Sequence, residues 1–265
     1  MRDDSDGKGG VQALETGLNL LMAFTRLKGP QKLKTLAEAS AMPAAKVHRY
    51  LVSLSRAGLV RQESATSRYM LGLGALQIGL AAMSEFDVIE LGLAMLPDIR
   101  DDLGETVGLV VWSVNGPTYV RVLESNRPVS VNSKSGSVLP LIYSASGRVF
   151  LAYLPSRETA ELVKKELQAR ENPGGAAVLA GDDIEEIVRH TREAGLGIAR
   201  SDYFPGIGAL SAPIMDFRGD LVAALTVFGP DSVLDVSPDG TLATKLKAHA
   251  LQLSQALGYS ADLTR

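Results

Sequence analysis

The sequence predicts an α+β chain built as two modules, and three observations carry that prediction. Residues Val11 to Leu71 read as helix, helix, tight turn, helix and then a short hairpin. Beyond Val107, longer apolar runs pair into hairpins, with helices set between and after them. Charge divides the chain near residue 75. From Phe24 to Ala75, nine Lys and Arg stand against Glu38 and Glu63, a local charge of +7; the whole chain carries −3, so the remainder carries −10.

At 265 residues, 46% hydrophobic and 22% charged, the chain has the composition of a globular protein that can bury two modest cores, not of a disordered or fibrous one. It has no cysteine, which excludes disulfides, thiolate metal sites and a cysteine nucleophile. Residues 1–10, MRDDSDGKGG, are acidic and glycine-rich, so the expectation is a loose tail and not a signal peptide. Charges and glycines interrupt every apolar run before a membrane-spanning length, which makes the cytoplasm the expected location.

In order along the chain, Leu14, Leu18, Leu21 and Met22 recur at helical spacing and predict a first helix from Val11 to Leu27, ended by Gly29-Pro30. Leu33 to Ser40 predicts a second helix with Leu36 and Ala37 inward. Met42-Pro43 breaks the chain, and Pro43 suits the first turn of a third helix, where a missing N–H costs nothing. On that helix Val47, Tyr50, Leu51 and Leu54 share one face. Ala45, Arg49, Val52, Ser53 and Arg56 share the opposite one, with Lys46 on the flank. Gly58 ends it, and Leu59 to Gln62 and Arg68 to Leu71 form a hairpin.

Helical periodicity returns from Leu76 to Leu103, a connector with Val88, Leu91, Met95, Ile99 and Leu103 on one stripe and Pro97 implying a kink or a restart. VGLVVWSV and TYVRVLES flank Asn115-Gly116-Pro117 as one hairpin, VSVN (129–132) is a candidate strand, and GALSAPIM and LVAALTVFG form a second hairpin around Asp216 to Gly219. Helices are expected at Ser146 to Leu154, Ser156 to Arg170, Asp182 to Ala194 and Asp239 to Leu257, with ENPGGAAVLAGDD as a surface loop.

Helix, turn, helix and hairpin in that order make a winged helix-turn-helix, whose second helix of the pair enters the major groove while the hairpin meets flanking backbone. The third helix has no acid, so its small and basic face can approach phosphates and reach base edges. Double-stranded DNA is the expected partner. Ser144-Ala145-Ser146-Gly147-Arg148 reads as an N-cap and opening helical turn, which either simply caps a helix or draws a carboxylate to its free N–H groups.

Several signals are read as structural. His48, His190 and His249 lack ligand spacing, so no metal and no cofactor is expected. Gly72-Leu73-Gly74 follows a wing and not a first strand, so it is a turn and not a dinucleotide fingerprint; Ser211 in GALSAP is not a nucleophile elbow. The alternatives are an enzyme that uses its N-terminal helices to dimerise, or a sensor that binds another protein through the basic face.

The chain also resembles the isocitrate-lyase-regulator (IclR) type of bacterial transcriptional regulators from about Val11 to Gly258. VQALETGLNLL, LKTLAEASAMPAAKVHRYLVSLSRAGLV and SRYMLG carry the likeness at the N-terminus. LPLIYSASGRVFLAYLP, GLGIARSDYFPGIGALSAPIMDFRG and LVAALTVFGP carry it at the C-terminus. The resemblance implies a winged helix-turn-helix over 11–75, a linker helix region over 76–103 and an effector-binding domain of GAF/profilin-like fold over 104–258. It implies no catalysis and a homodimer or dimer of dimers on its operator. Where the family's recognition helix opens Pro-Lys-Ser-Thr-Val-His-Arg, this chain matches at Pro43, Val47, His48 and Arg49 and departs at Ala44, Ala45 and Lys46. The implied DNA contacts are Ala45, Lys46, His48, Arg49, Ser53 and, on the wing, Arg68. The implied effector site is Ser144, Ala145, Ser146 and Gly147, faced by Asp202, Gly208, Ala209, Leu210, Thr226 and Phe228. Gly208-Ala209 and Phe228 stand where many members carry small polar residues. The expected effector is therefore a carboxylate larger and more apolar than a two- or three-carbon keto acid, an aromatic or alicyclic one.

Overall fold

The computed structural model describes residues 10–27, 29–83, 87–125, 133–168 and 181–260. Backbone contacts divide the chain into two units, Met1–Phe86 and Asp87–Thr264. The expected tail lies almost wholly outside the described residues, as does VSVN, and so do 171–180 of the expected surface loop.

In the first unit, α1 (Gln12–Arg26), α2 (Leu33–Ala39) and α3 (Ala44–Arg56) close around Leu20, Phe24, Leu36, Val47, Leu51 and Leu54. Pro43 serves as N-cap of α3, one position earlier than expected. β1 (Val60–Gln62) and β2 (Tyr69–Leu71) pair antiparallel with Arg61 opposite Met70. Gln31 and Tyr69 exchange two backbone hydrogen bonds of 2.8 Å, which ties the wing to the segment between α1 and α2. Gly72 passes directly over the Gly58 carbonyl, where a Cβ would collide, so the Gly-Leu-Gly run is a chain crossing.

The stripe that marks α1 in the sequence is mostly its outer one. Leu14, Leu18 and Met22 are 46–60% exposed, while Gly17, Leu20, Ala23 and Phe24 form the buried face of α1. The helix is apolar on two sides, and periodicity by itself does not say which side meets the core. α4 (Leu73–Met83) has no charged residue, and its Leu73, Leu76, Ile78 and Leu80 are more than half exposed.

The expected connector is two helices and not one. α5 (Val88–Leu103) begins afresh at Asp87, whose carboxylate accepts the Ile89 N–H at 2.8 Å, and it runs through Pro97. Its stripe of Leu96, Ile99 and Leu103 is buried in the core of the second unit, so this half of the connector belongs to that unit.

That second unit is a five-stranded antiparallel sheet in the order β4-β3-β7-β6-β5. Its strands are β3 (Thr106–Ser113), β4 (Gly116–Leu123), β5 (Gly197–Arg200), β6 (Ile207–Met215) and β7 (Leu221–Pro230). α5 and α9 (Thr241–Ala256) cover one face; α6 (Ala145–Tyr153) covers the other, with α7 (Ser156–Gln168) and α8 (Gly181–Ala194) against it. Alternation sorts the side chains between two cores. Leu225 and Val227 of β7 join Leu210 and Ala212 of β6 beneath α9, whereas Ala224 and Phe228 turn to Val149 and Phe150 of α6. Both faces being buried explains why β6 and β7 read as almost continuous apolar runs. β5 is four residues at the sheet edge, too short for alternation to mark it in the sequence.

Candidate functional site

The basic face of α3 is open. Ala45, His48, Arg49, Val52, Ser53 and Arg56 are exposed, Lys46 is half-buried, and Val47, Leu51 and Leu54 turn inward. The helix contains no carboxylate, so nothing on it competes with a phosphate for Arg49 or Arg56. Ser53 Oγ leans back on the Arg49 carbonyl at 3.4 Å. Arg68 is half-buried, and its Nη1 donates to the Pro30 carbonyl at 3.2 Å, bracing the wing against the segment before α2. The exposed cation on the wing's first strand is Arg61, which the sequence marks only by its outward place in a short alternating strand.

In the second unit, the first turn of α6 meets the inner face of the sheet at a cavity of about 50 Å³. Ser144, Ala145 and Ser146 form one wall, Thr226, Phe228 and Ala209 the floor, Tyr119 one side, and Tyr203 and Phe204 the roof. Ser144 is the N-cap: its Oγ accepts the Gly147 N–H at 2.9 Å and donates to the Pro140 carbonyl at 2.6 Å. The Ala145 and Ser146 N–H groups take no backbone or capping acceptor among the described residues, and both residues line the cavity at the positive end of the helix. Ser146, Thr226 and Ser211 join in a buried hydroxyl chain at 2.7 and 2.9 Å. Three hydroxyl protons supply two bonds, which leaves one proton for an outside acceptor.

No side chain in that lining is charged. The nearest fixed charges hold the frame. Arg148 donates through Nε to the Ile142 carbonyl at 2.9 Å, through Nη1 to the Ile198 carbonyl, and pairs with Asp202 at 2.9 Å. Burial pulls its pKa down, and the Asp202 charge opposes that pull. Glu166 of α7 accepts the Leu141 and Ile142 N–H groups at 2.6 and 2.9 Å, fixing the segment that leads into α6; burial raises its pKa, and those two donors offset part of the rise.

Of the expected effector residues, Ser144, Ala145, Ser146, Ala209, Thr226 and Phe228 come together, with Gly147 held just behind them. Gly208 and Leu210 do not. A Cβ on Gly208 would meet Val236, and Leu210 is buried in the core under α9, because neighbours of Ala209 on a strand point to the opposite face. Asp202 is not in the lining; its carboxylate is engaged by Arg148, and it holds the loop that brings Tyr203 and Phe204 over the cavity. Ile207 belongs to the segment from Gly206 to Pro213 where the resemblance puts the pocket-lining strand, whereas those two aromatics and Tyr119 are not among the residues expected at the site. The only available sign was the aromatic pair in Ser201-Asp202-Tyr203-Phe204-Pro205-Gly206. A larger open groove of about 910 Å³ lies among α6, α7 and α8, but it is an apolar trough with charges of both signs along it, Lys164, Arg189 and Arg192 beside Glu185 and Glu193.

Comparison with known proteins matches both units. The model of the bacterial transcriptional regulator IclR C-terminal domain fits residues 80–255, and that of the IclR helix-turn-helix domain fits residues 13–64. The HTH-type transcriptional repressor AllR of Klebsiella pneumoniae is 26% identical over 249 residues, 94% of this chain and 91% of that one. Among solved structures, Pseudomonas aeruginosa HmgR is 40% identical with a TM-score of 0.85, over 95% of this chain and 100% of that chain. An IclR homolog from Microbacterium hydrocarbonoxydans complexed with 4-hydroxybenzoate shares the fold at 19% identity and a TM-score of 0.56, over 93% of this chain and 99% of that chain.

Proposed function

Because this chain belongs to the IclR family of bacterial transcriptional regulators, we propose that it is a cytoplasmic, dimeric regulator of a catabolic operon whose hold on its operator changes when a ring-containing carboxylic acid enters the cavity under α6. It is a DNA-binding regulator and not an enzyme, like the repressors it is related to. The observation that carries the effector reading is the lining itself: uncharged, walled by aromatic rings, with two helix N-terminal donors at one end. Such a site takes a carboxylate on backbone N–H groups and the helix dipole while the rings accept an apolar body.

At about 50 Å³ the cavity is smaller than the roughly 150 Å³ that accommodates a benzene. The effector therefore enters by displacing the Tyr203–Phe204 roof. That loop turns at Ser201 and Gly206, both at positive φ, and Ser201 is latched to Asp231 at 2.7 Å. An effector that prefers the raised loop shifts the regulator between two states by the difference in its affinity for them.

On the DNA side, Ala45, Lys46, His48, Arg49 and Ser53 face the operator, with Arg61 beside them on the wing. Selecting genomic fragments with the purified protein yields the operator. On that duplex, Arg49→Ala is expected to cost about 1–3 kcal/mol with the melting temperature unchanged. Unaltered affinity in a titration at fixed salt would remove Arg49 from base readout. For the cavity, a thermal-shift series should rank benzoate and 4-hydroxybenzoate above glyoxylate and pyruvate, since a ligand that binds only the folded state stabilises it in proportion to its affinity. If the keto acids stabilise more, the effector reading fails and the regulator remains.

A further inference from the structure

One buried polar group at the cavity is left unused by a carboxylate at the α6 end. Tyr119 departs from β4 opposite Val110, and its ring lies across β3 at Gly108, where any Cβ would collide with the ring edge. Glycine in the middle of a strand weakens it, and here it is the vacancy that lets the phenol reach inward. Past Gly108 the ring packs against Phe228, centroids 5.7 Å apart and tilted by 41°.

The residue is 4% exposed, and it lines the cavity. Its hydroxyl makes no hydrogen bond to the described residues, in contrast to the other buried hydroxyls at the site: Ser144 uses both its donor and its acceptor, and Ser146, Thr226 and Ser211 are joined by two bonds. No fully enclosed side-chain polar atom lacks a partner among the described residues, so the Tyr119 oxygen opens onto the void. Burial raises its pKa, with the nearby Tyr203 adding to the rise, which keeps it a neutral donor at physiological pH.

We propose that Tyr119 is a specificity-determining residue whose hydroxyl bonds a second polar group of the effector, a ring hydroxyl or keto oxygen, so that the effector is an oxygenated ring acid held at two ends. This rests on the reading of the cavity given above. A carboxylate on the Ala145 and Ser146 N–H groups anchors one end. A ring lies between Phe228 and the Tyr203–Phe204 roof, and its oxygen meets Tyr119 on the side. A plain aryl acid would fill the same space and leave the phenol buried without a partner, the condition under which a polar site rejects an analogue lacking the matching group.

The test is calorimetric titration of wild type and Tyr119→Phe with benzoate and the three monohydroxybenzoates. At least one hydroxybenzoate should bind wild type about tenfold or more tightly than benzoate does. In Tyr119→Phe that advantage should vanish, with benzoate binding as well as before or better. The ligand-free melting temperature of the variant should hold or rise, since the change removes an unpaired hydroxyl. An equal loss for all four acids, no preference in wild type, or a clear fall in the ligand-free melting temperature would each overturn the assignment. Wild type failing to bind any of the four, benzoate included, would instead overturn the cavity reading beneath it, and the assignment with it.

Discussion

Replacing Arg148 with alanine is expected to lower the stability of the second unit by about 2–4 kcal/mol, the largest effect of any single side chain around the cavity. Its guanidinium joins three elements: the Ile142 carbonyl before α6, the Ile198 carbonyl of β5 and the Asp202 carboxylate of the roof loop. The side chain is 15% exposed, so removing it strips two carbonyls of their donor and leaves Asp202 facing a gap. Asp202 itself is 31% exposed and can recover water, which keeps the cost below that of a fully enclosed pair. Arg148→Lys should regain less than half of the loss, because an ammonium cannot serve three acceptors in the fixed fork that a guanidinium presents. Urea midpoints at constant slope measure this, and an Arg148→Ala midpoint equal to wild type would contradict it. The same frame explains why β5 runs so close to α6. A Cβ at Gly197 would collide with the Ala145 carbonyl, so strand and helix end touch through backbone, with Arg148 as the clamp beside them.

How far the sequence revealed this arrangement differs from element to element. The three N-terminal helices, the wing and the β6–β7 hairpin were legible because periodicity and turn residues are local signals. The start of α5 is an equally local signal, since Asp87, two residues before Ile89, is a helix cap, but the apolar stripe continuing through Leu103 hides it. The cap at Ser144 was visible as a serine three residues before a glycine, and it does open the helix that walls the cavity. The rest of the site was not local. Tyr119, Thr226 and Phe228 come from strands about a hundred residues apart, and only the sheet order places them together. Gly208, Ala209 and Leu210 are consecutive in the sequence, and the two-residue period of the strand sends the outer pair to the other core.

The second large effect concerns α4, and it follows from a helix that its own unit leaves uncovered. From Leu73 to Met83 there is no charge, and Leu76 and Leu80, one turn apart, are each 55% exposed beside a groove of about 540 Å³ shared with Arg61 and Leu71. Single exposed leucines are ordinary; a whole apolar helix, with the exposed Leu14, Leu18 and Met22 on α1 of the same unit, is not. A second copy of the chain is the occupant that the operator reading calls for, since two recognition helices on one duplex require two first units held together. A leucine's full burial contributes roughly 1.5–3 kcal/mol, so covering the exposed halves of Leu76 and Leu80 in both copies amounts to about 3–6 kcal/mol. Leu76→Lys with Leu80→Lys forfeits that contribution and sets charge against an apolar face. Dimer dissociation should then rise by about a hundredfold or more, and the affinity for a two-half-site operator should fall by a similar factor as the second half-site loses its tethered partner. Circular dichroism of the double variant should keep its helical signal, because neither side chain belongs to the core of Leu20, Leu36, Val47 and Leu51. Sedimentation velocity together with an operator titration decides the point: a variant that remains dimeric at the wild-type concentration would place the subunit contact elsewhere than α4.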